Sequence, residues 1–278
     1  MDVGEDELRV GGITLKGVTR GGIQTCVFVP ELGVMFDAGG RIPGQLKWGT
    51  ILVSHGHQDH LGGLPYLVSQ RALAGLAPPD VHMPIEIVEP FRRIMEAWSE
   101  IEGFALQLHL HGHAPGDRVE LEKSRAAIPL RTVHRVPSLA WVIERATQRL
   151  KAEHAGKERQ EIEALRSSGV EITEQHVTPV LCVTGDTQIE LFDREPLVRT
   201  CRVLVHEVTA WDGRRSVEEI RRWGHTHVDE MIERAEQFEG EALVLVHRSP
   251  RHTRGEAEQV VRERFPSSIR DRVHVFGR

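Results

Sequence analysis

The sequence contains few cysteines and few aromatic side chains, and both shortages limit what the protein can be. Aromatic residues make up 5% of the 278 residues, and the three cysteines, Cys26, Cys182 and Cys201, include no Cys-x-x-Cys pair. An odd, widely spaced set of cysteines does not form a disulfide framework. We therefore expect each of them to be a small buried hydrophobic side chain in a reducing compartment.

Long apolar runs and a large excess of one charge are also missing. No apolar stretch approaches the length of a membrane span, and residues 1–7 are acidic and lack the apolar stretch of a signal peptide. The 35 basic and 41 acidic residues give a net charge of −6, which does not favour a general polyanion-binding protein, although a local basic groove remains compatible with it. We expect a soluble cytoplasmic protein without membrane association, folded as one domain over residues 1–278.

The most informative stretch contains four potential metal ligands within six positions, His55, His57, Asp59 and His60. It follows the apolar run 50–54, which predicts a buried strand. His55 and His57 leave an extended chain on the same face, whereas the adjacent Asp59 and His60 diverge, so one metal ion cannot easily bind all four. Imidazole nitrogen and carboxylate oxygen suit zinc and similar metals. The preceding strand disfavours the alternative, a histidine-rich surface loop.

Three later apolar runs also end in side chains that can bind a metal ion or transfer a proton. They end in Asp186, in His206 and Glu207, and in His247. Such strand ends gather at one edge of a sheet, where ligands of layered α/β proteins collect. Asp186 follows Gly185, which permits close approach, so its carboxylate is placed to bridge two cations. A plain turn from strand to helix is a reasonable alternative for Asp186 alone, but a weak one once the other candidate ligands are counted.

Four other histidines are less specific. His134 follows a short strand, and a lone histidine in that context is more often structural than a ligand. His109, His111 and His113 alternate along a predicted half-exposed strand. No carboxylate is interleaved with these three, so we expect an exposed strand face there and no second metal site.

The order of these motifs resembles the metallo-β-lactamase fold superfamily and, within it, the tRNase Z (ribonuclease Z)-like branch of phosphodiesterases. The shared features are Ser-His-Gly-His-Gln-Asp-His from position 54, Thr-Gly-Asp-Thr from 184, His-Glu-Val-Thr from 206, His-Thr from 225 and Val-His-Arg-Ser-Pro-Arg from 246. The resemblance covers nearly the whole chain. It implies an α/β fold, an αββα sandwich of two mixed β-sheets packed face to face with the helices outside.

The resemblance also implies a ligand set for two zinc ions, with Mn²⁺ or Fe²⁺ as alternatives. One ion would be bound by His55, His57 and His134, the other by Asp59, His60 and His247, with Asp186 and a hydroxide bridging them. Two such ions lower the pKa of bound water to roughly 7 and hold both oxygens of an in-line displacement at phosphorus. The same resemblance implies a homodimer and places Asp37 behind the ligands, where it orients a histidine.

Catalytic roles implied by the resemblance fall on Asp59, which would hold the nucleophile in line, and on His225, which would protonate or stabilise the leaving oxygen. Glu207 would orient the His225 imidazole. A structural pair at the edge of the sheet is the alternative for Glu207 and His225. The family pattern reads His-x-Thr at this point, whereas here Thr226 and then His227 follow His225.

The segment 147–168 mixes basic and acidic residues in nearly equal number, and we predict a solvated helical insertion. It does not resemble the Gly/Pro-containing arm with which tRNA-processing members hold their substrate. We therefore expect an RNA or tRNA 3′ end, or a smaller phosphodiester, as the substrate, with weak tRNA binding. Two other functions remain open at this point, hydrolysis of carboxylic esters, thioesters or lactones at the same centre, and a non-catalytic zinc-containing binding module.

Overall fold

The computed structural model of the protein describes residues 4–278. We expect no signal peptide in the acidic segment 1–7, and residues 1–3 of that segment lie outside the described residues. Within residues 4–278, no helix has the length and apolarity that crossing a bilayer requires.

The strands of the described residues form two mixed seven-stranded sheets, and in each sheet their spatial order is their order along the chain. The first sheet contains β1 (Asp6–Val10), β2 (Ile13–Arg20), β3 (Gln24–Val29), β4 (Val34–Phe36), β5 (Thr50–Leu52), β6 (Asp80–Pro84) and β7 (His109–His113). The second contains β8 (Val119–Leu121), β9 (Arg125–Arg131), β10 (Leu139–Leu150), β11 (Thr173–Val183), β12 (Val203–Glu207), β13 (Ala242–Val246) and β14 (Val273–Val275). Each sheet thus comes from one continuous half of the chain.

Helices connect the strands and cover the outer faces of both sheets. They are α1 (Gln58–Leu61), α2 (Leu64–Leu73), α3 (Ile85–Glu102), α4 (Arg159–Ser167), α5 (Glu190–Arg194), α6 (Pro196–Thr200), α7 (Val217–Arg222), α8 (Val228–Arg234) and α9 (Arg254–Arg264). The helix α3 begins at Ile85 and contains Pro90 in its second turn. Pro90 leaves only one backbone hydrogen bond of the helix without a donor, and burial of Phe91 and Met95 holds α3 against the first sheet.

Three hydrophobic clusters define the layers. One lies between the first sheet and the helices α2 and α3, one between the two sheets, and one between the second sheet and the later helices. The alternation of side chains in β3 shows how one strand serves two layers, because Cys26 and Phe28 face the helices whereas Val27 and Val29 face the other sheet. The predicted αββα sandwich is confirmed.

The arrangement of parallel and antiparallel pairs determines where polar residues collect. In the first sheet β1 to β4 pair antiparallel and β4 to β7 pair parallel. In the second sheet β8 to β11 are antiparallel and β11 to β14 parallel. The carboxyl ends of the parallel strands of each sheet therefore open toward one edge, the position at which such sheets bind ligands.

We predicted one helical insertion over the segment 147–168, but only part of this segment is helical. Residues 147–150 continue β10, whose pairing with β11 extends as far as Leu150 opposite Thr173. Beyond a bulge at Ile143 and Glu144 the two strands are mostly exposed, and together they form a ribbon that ends in the short helix α4. The hydrogen-bond ladder with β11 fixes residues 147–150 as a strand, an effect of pairing that their mixed-charge composition does not predict.

Candidate metal centre

The predicted ligands lie at the carboxyl ends of the parallel strands. In the first sheet, Asp37 follows β4 and His55 follows β5 by three residues, while α1 presents Asp59 and His60. In the second sheet, Asp186 follows β11 and His247 follows β13. His134 joins from the loop between β9 and β10.

One group of ligand atoms contains three histidines and a carboxylate. The facing nitrogens of His55 and His57 are 2.9 Å apart, and those of His57 and His134 are 3.3 Å apart. Oδ2 of Asp186 lies 3.7 Å from His55 Nε2 and 4.0 Å from His134 Nε2. One atom from each of these four residues lies within 4.8 Å of the others, so the first predicted set comes together.

The second group contains Asp59, His60 and His247, again within 4.8 Å of one another. The Nε2 atoms of His60 and His247 are 3.3 Å apart, and each is 3.3 Å from Oδ1 of Asp186. Asp59 Oδ2 lies 3.6 Å from His60 and 3.5 Å from His247. The two oxygens of Asp186 therefore face different groups, as a bridging carboxylate requires.

The hydrogen bonding of these residues fits divalent metal ions. Asp186 is 2% exposed, and its Oδ1 has no hydrogen-bond partner among the described residues, an arrangement that is costly for a buried charged oxygen unless a cation balances it. The imidazole nitrogens of His60 and His247 face one another across 3.3 Å. Nitrogen and carboxylate donors of this kind form zinc sites.

The electrostatics of the same residues favour a bound cation. Burial lowers the pKa of His55 and of His134, so both rings favour the neutral form that binds metal. Burial opposes ionisation of Asp59, but a hydrogen bond from His247 and the charge of His60 lower the pKa of Asp59 to about 2. For His60, burial is outweighed by the nearby Asp186, which raises its pKa. This concentration of negative charge attracts a cation.

Asp37 lies directly behind the second group, where the resemblance to the metallo-β-lactamase fold superfamily places it. Its Oδ2 is 2.8 Å from Nδ1 of His60, and its Oδ1 accepts a hydrogen bond from the Ser54 amide at 2.7 Å. An imidazole whose Nδ1 is held in this way directs Nε2 toward the metal centre. Asp37 and His247 both adopt left-handed backbone conformations, with φ of 57° and 60°, which non-glycine residues rarely do and which cluster at functional sites.

Glu207 and His225 form a pair beside these ligands. Glu207 Oε1 lies 2.9 Å from His225 Nδ1 and also accepts hydrogen bonds from the amides of Thr187 and Thr226. Burial disfavours the imidazolium, but the charge of Glu207 and its hydrogen bond raise the pKa of His225 to about 9. His225 Nδ1 is also 3.8 Å from Asp186 Oδ2. The pair is therefore within reach of a group bound at the centre.

Three residues to which the sequence analysis gives no role also contact the candidate ligands. The amide of Gly22 donates to Asp59 Oδ2 at 2.8 Å, Thr209 Oγ1 lies 3.1 Å from His247 Nδ1, and Ser54 Oγ lies 3.0 Å from His55 Nδ1. Thr209 and Ser54 belong to motifs visible in the sequence, whereas Gly22 is distinguishable there only as part of a turn.

The histidines of β7 lie away from this centre. Asp80 of β6 stands between His109 and His111, at 3.1 Å from a nitrogen of each. His113 is 3.0 Å from His82. The carboxylate that the β7 sequence lacks is thus supplied by the neighbouring strand. Within the described part of the chain, no three ligand atoms of this cluster lie within 4.8 Å of one another.

A cleft of about 860 Å³ opens onto the metal centre. His225 and His247 lie in its wall, and the rest of the lining comes from the Gly21-Gly22 turn, the segment 209–223 and the segment 249–252. The lining combines arginine side chains with one exposed tryptophan, Trp223. An extended charged substrate could enter here and reach the ligands.

Comparison with known proteins gives consistent similarities. Residues 41–248 match the model of the Beta-lactamase superfamily domain. The chain is 34% identical over 269 residues to tRNase Z TRZ1 of Arabidopsis thaliana, and the matched region covers 96% of this chain and 95% of that protein. It is also 34% identical over 250 residues to the chloroplastic tRNase Z TRZ2 of the same plant, covering 89% of this chain and 70% of that protein. The short form of human tRNase Z has a similar fold, with a TM-score of 0.62 at 17% identity and 94% of each chain covered.

Proposed function

We propose, from the premise that the chain belongs to the tRNase Z family of the β-lactamase superfamily, that it is a metal-dependent ribonuclease that processes the 3′ end of tRNA. The observation that carries this proposal is the position of Asp186, whose two oxygens face two separate groups of ligands beside the Glu207–His225 pair. That combination matches hydrolysis at phosphorus, for which two cations and a proton donor are useful.

Two zinc ions are proposed as the cofactors, one in each group. His55, His57 and His134 would hold the first, Asp59, His60 and His247 the second, and Asp186 would contact both. When bound, such ions supply Lewis acidity that activates water and neutralises charge at the phosphate. The mixed histidine and carboxylate donors favour zinc over harder cations, with Mn²⁺ or Fe²⁺ as alternatives.

The chain's own residues orient the reactants. The Gly22 amide holds Asp59 Oδ2, so this carboxylate can accept a hydrogen bond from the attacking water and keep it in line. The water oxygen bonds to phosphorus and passes one proton to the Asp59 carboxylate while the ester P–O bond on the opposite side breaks. Nδ1 of His225 is held by Glu207, which leaves Nε2 to give a proton to the departing oxygen, and Glu207 keeps the ring in place.

The test is cleavage by purified, metal-quantified protein. We expect a 3′-extended tRNA and bis(p-nitrophenyl) phosphate to be hydrolysed and a thioester to remain intact. Turnover of the thioester alone would refute the proposal, because Glu207 and His225 would then serve different chemistry.

A homodimer is proposed on the basis of one exposed apolar stripe. Ile94, Trp98 and Ile101 of α3 follow one another at spacings of four and three residues, so they share a helix face, and they are 51%, 44% and 71% exposed. Two copies can bury such a stripe symmetrically. Trp98→Glu should convert a dimer into a monomer in sedimentation, and a wild-type monomer would refute the pairing.

The cellular compartment proposed is the cytoplasm. Cys26, Cys182 and Cys201 are all buried and free, and thiols of this kind persist in a reducing environment. Imaging of the tagged full-length protein tests this assignment.

A further inference from the structure

The rim of the cleft carries an aromatic side chain that the proposed mechanism does not use. Trp223 directly follows α7, is 53% exposed and lies in the cleft wall together with His225 and His247. A tryptophan is usually buried over much of its surface. An exposed indole beside a candidate catalytic histidine is therefore a candidate contact surface for the substrate.

The turn that carries Trp223 is fixed against the metal centre. The next residue, Gly224, accepts a hydrogen bond through its carbonyl oxygen from His134 Nδ1 at 2.8 Å. Gly224 has φ of +81°, and a Cβ at this position would lie 2.6 Å from the same nitrogen, so only glycine permits the approach. Trp223 is therefore placed at a fixed backbone position relative to one of the candidate ligands.

A second side chain extends this surface. The guanidinium of Arg135 lies 5.6 Å from the centroid of the Trp223 ring, in the range of a cation–π contact. Arg135 follows His134 in the sequence and is exposed. Among the described residues it makes no ion pair, so its charge is available to an anion. Arg135 therefore adds a positive charge close to the face of the exposed indole.

Other cationic groups line the same cleft. Arg214 is paired with Asp212, whereas Arg215 and Arg251 have no carboxylate within ion-pair distance among the described residues. Phosphate groups bind such side chains through long-range attraction that does not depend on base sequence. The aromatic surface and these cations match a single strand of RNA, whose bases stack and whose phosphates pair with arginine.

We propose that Trp223, supported by Arg135, is the platform on which the base of one nucleotide stacks, the nucleotide that carries the leaving oxygen. This rests on the proposed function. We assign the leaving-oxygen side because Trp223 lines the same cleft as His225, the proposed donor to that oxygen. Every base has an aromatic face, so such a platform accepts any base and improves binding by roughly 5- to 150-fold.

The test compares intact RNA with RNA that is abasic at this nucleotide, using the metal-loaded full chain. In the wild type we expect the abasic change to lower kcat/KM about tenfold, mainly through KM. In Trp223→Ala both substrates should be cleaved equally poorly, whereas Trp223→Phe should keep part of the preference for the intact base. A purely structural role of Trp223 would lower activity on both substrates and leave their ratio at the wild-type value, which would overturn the proposal.

Two controls make the result specific. Arg222→Ala changes the exposed neighbour at the end of α7 and should keep the wild-type ratio. An abasic nucleotide on the other side of the scissile phosphate should be insensitive to Trp223, and sensitivity confined to that side would overturn the assignment.

A binding measurement separates this proposal from the proposed function. 2-Aminopurine at the stacked position should lose fluorescence on binding to the wild type and retain it with Trp223→Ala. Absence of RNA cleavage by the wild type would refute the ribonuclease proposal, whereas equal quenching by both proteins would refute the platform alone.

Discussion

Oε1 of Glu207 lies 2.9 Å from Nδ1 of His225, and this pair faces the carboxylate of Asp186. Glu207 is fully buried, and its other oxygen accepts a hydrogen bond from Thr209. With Nδ1 occupied, only Nε2 of His225 can exchange a proton with a substrate. The contact fixes both the orientation of the ring and the atom that would act.

The first prediction concerns His225. His225→Ala should lower kcat for RNA by about 10²- to 10⁴-fold, the range typical of a lost general acid, while both metal ions stay bound. Glu207→Gln keeps the size of the side chain and a hydrogen-bond acceptor, so it should cause a smaller loss. Kinetics together with elemental analysis checks this, and loss of a metal ion from His225→Ala would identify His225 as a ligand.

The second prediction concerns metal content. Wild-type protein should contain close to two transition-metal ions per chain. Asp186→Ala should reduce both, because Asp186 faces both groups, whereas His247→Ala should reduce mainly one. Elemental analysis after zinc-supplemented expression measures this. Full occupancy of one site in Asp186→Ala would contradict a bridging role, and a metal-free wild type would contradict the centre itself.

The third prediction concerns acid stability and His82. Burial, with the charges of His111 and His113, lowers the pKa of His82 to about 4, below its value of about 6.5 in an unfolded chain. Between these two pKa values the folded state binds fewer protons than the unfolded state. The contribution of His82 to the free energy of unfolding is therefore fully present above pH 6.5 and is lost as the pH decreases toward 4. Between pH 7.5 and 5 this group should remove about 2 kcal/mol from the free energy of unfolding.

Urea unfolding at the two pH values measures that loss. His82→Gln cannot titrate and should show a smaller decrease than the wild type. His176→Gln, which changes an exposed histidine of β11, should behave as the wild type does. An identical decrease in all three proteins would mean that His82 does not carry the pH dependence.

The fourth prediction concerns tRNA affinity and the ribbon. Residues 151–171 at its end contain four basic and five acidic residues, so they offer little net attraction to phosphate. Replacing residues 152–171 by Asn-Gly should leave tRNA binding and its salt dependence nearly unchanged, and the wild-type affinity should be weak. Binding titrations from low to high salt decide this. Nanomolar affinity with a steep salt slope that the deletion abolishes would show that the ribbon holds tRNA.

Much of the site was predictable because its residues occupy short, strongly patterned stretches. His55, His57, Asp59 and His60 follow one apolar run, and the later candidates follow others. Parallel strands bring such ends together by geometry alone, so the expectation of one polar edge needs only the strands and their direction.

Contacts that depend on tertiary pairing were not predictable. Nothing local to β7 indicates that Asp80 of β6 would lie between His109 and His111, because that contact depends on which strands are neighbours. Residues 147–150 became a strand through pairing with β11 for the same reason. Trp223 gave no signal either, since its exposure and its contact with Arg135 arise only after α7 packs beside the loop that holds His134.

Because each sheet comes from a continuous half of the chain, the two ligand groups also have an order in time. A chain made from its amino end presents His55, His57, Asp59 and His60 early, yet the first group waits for His134 and Asp186. The second waits for His247, on the far side of β13. The first group cannot close before residue 186 has been made, and the second cannot close before residue 247, so completion of the centre, and with it any cutting of RNA, comes after the ribosome has made most of the protein.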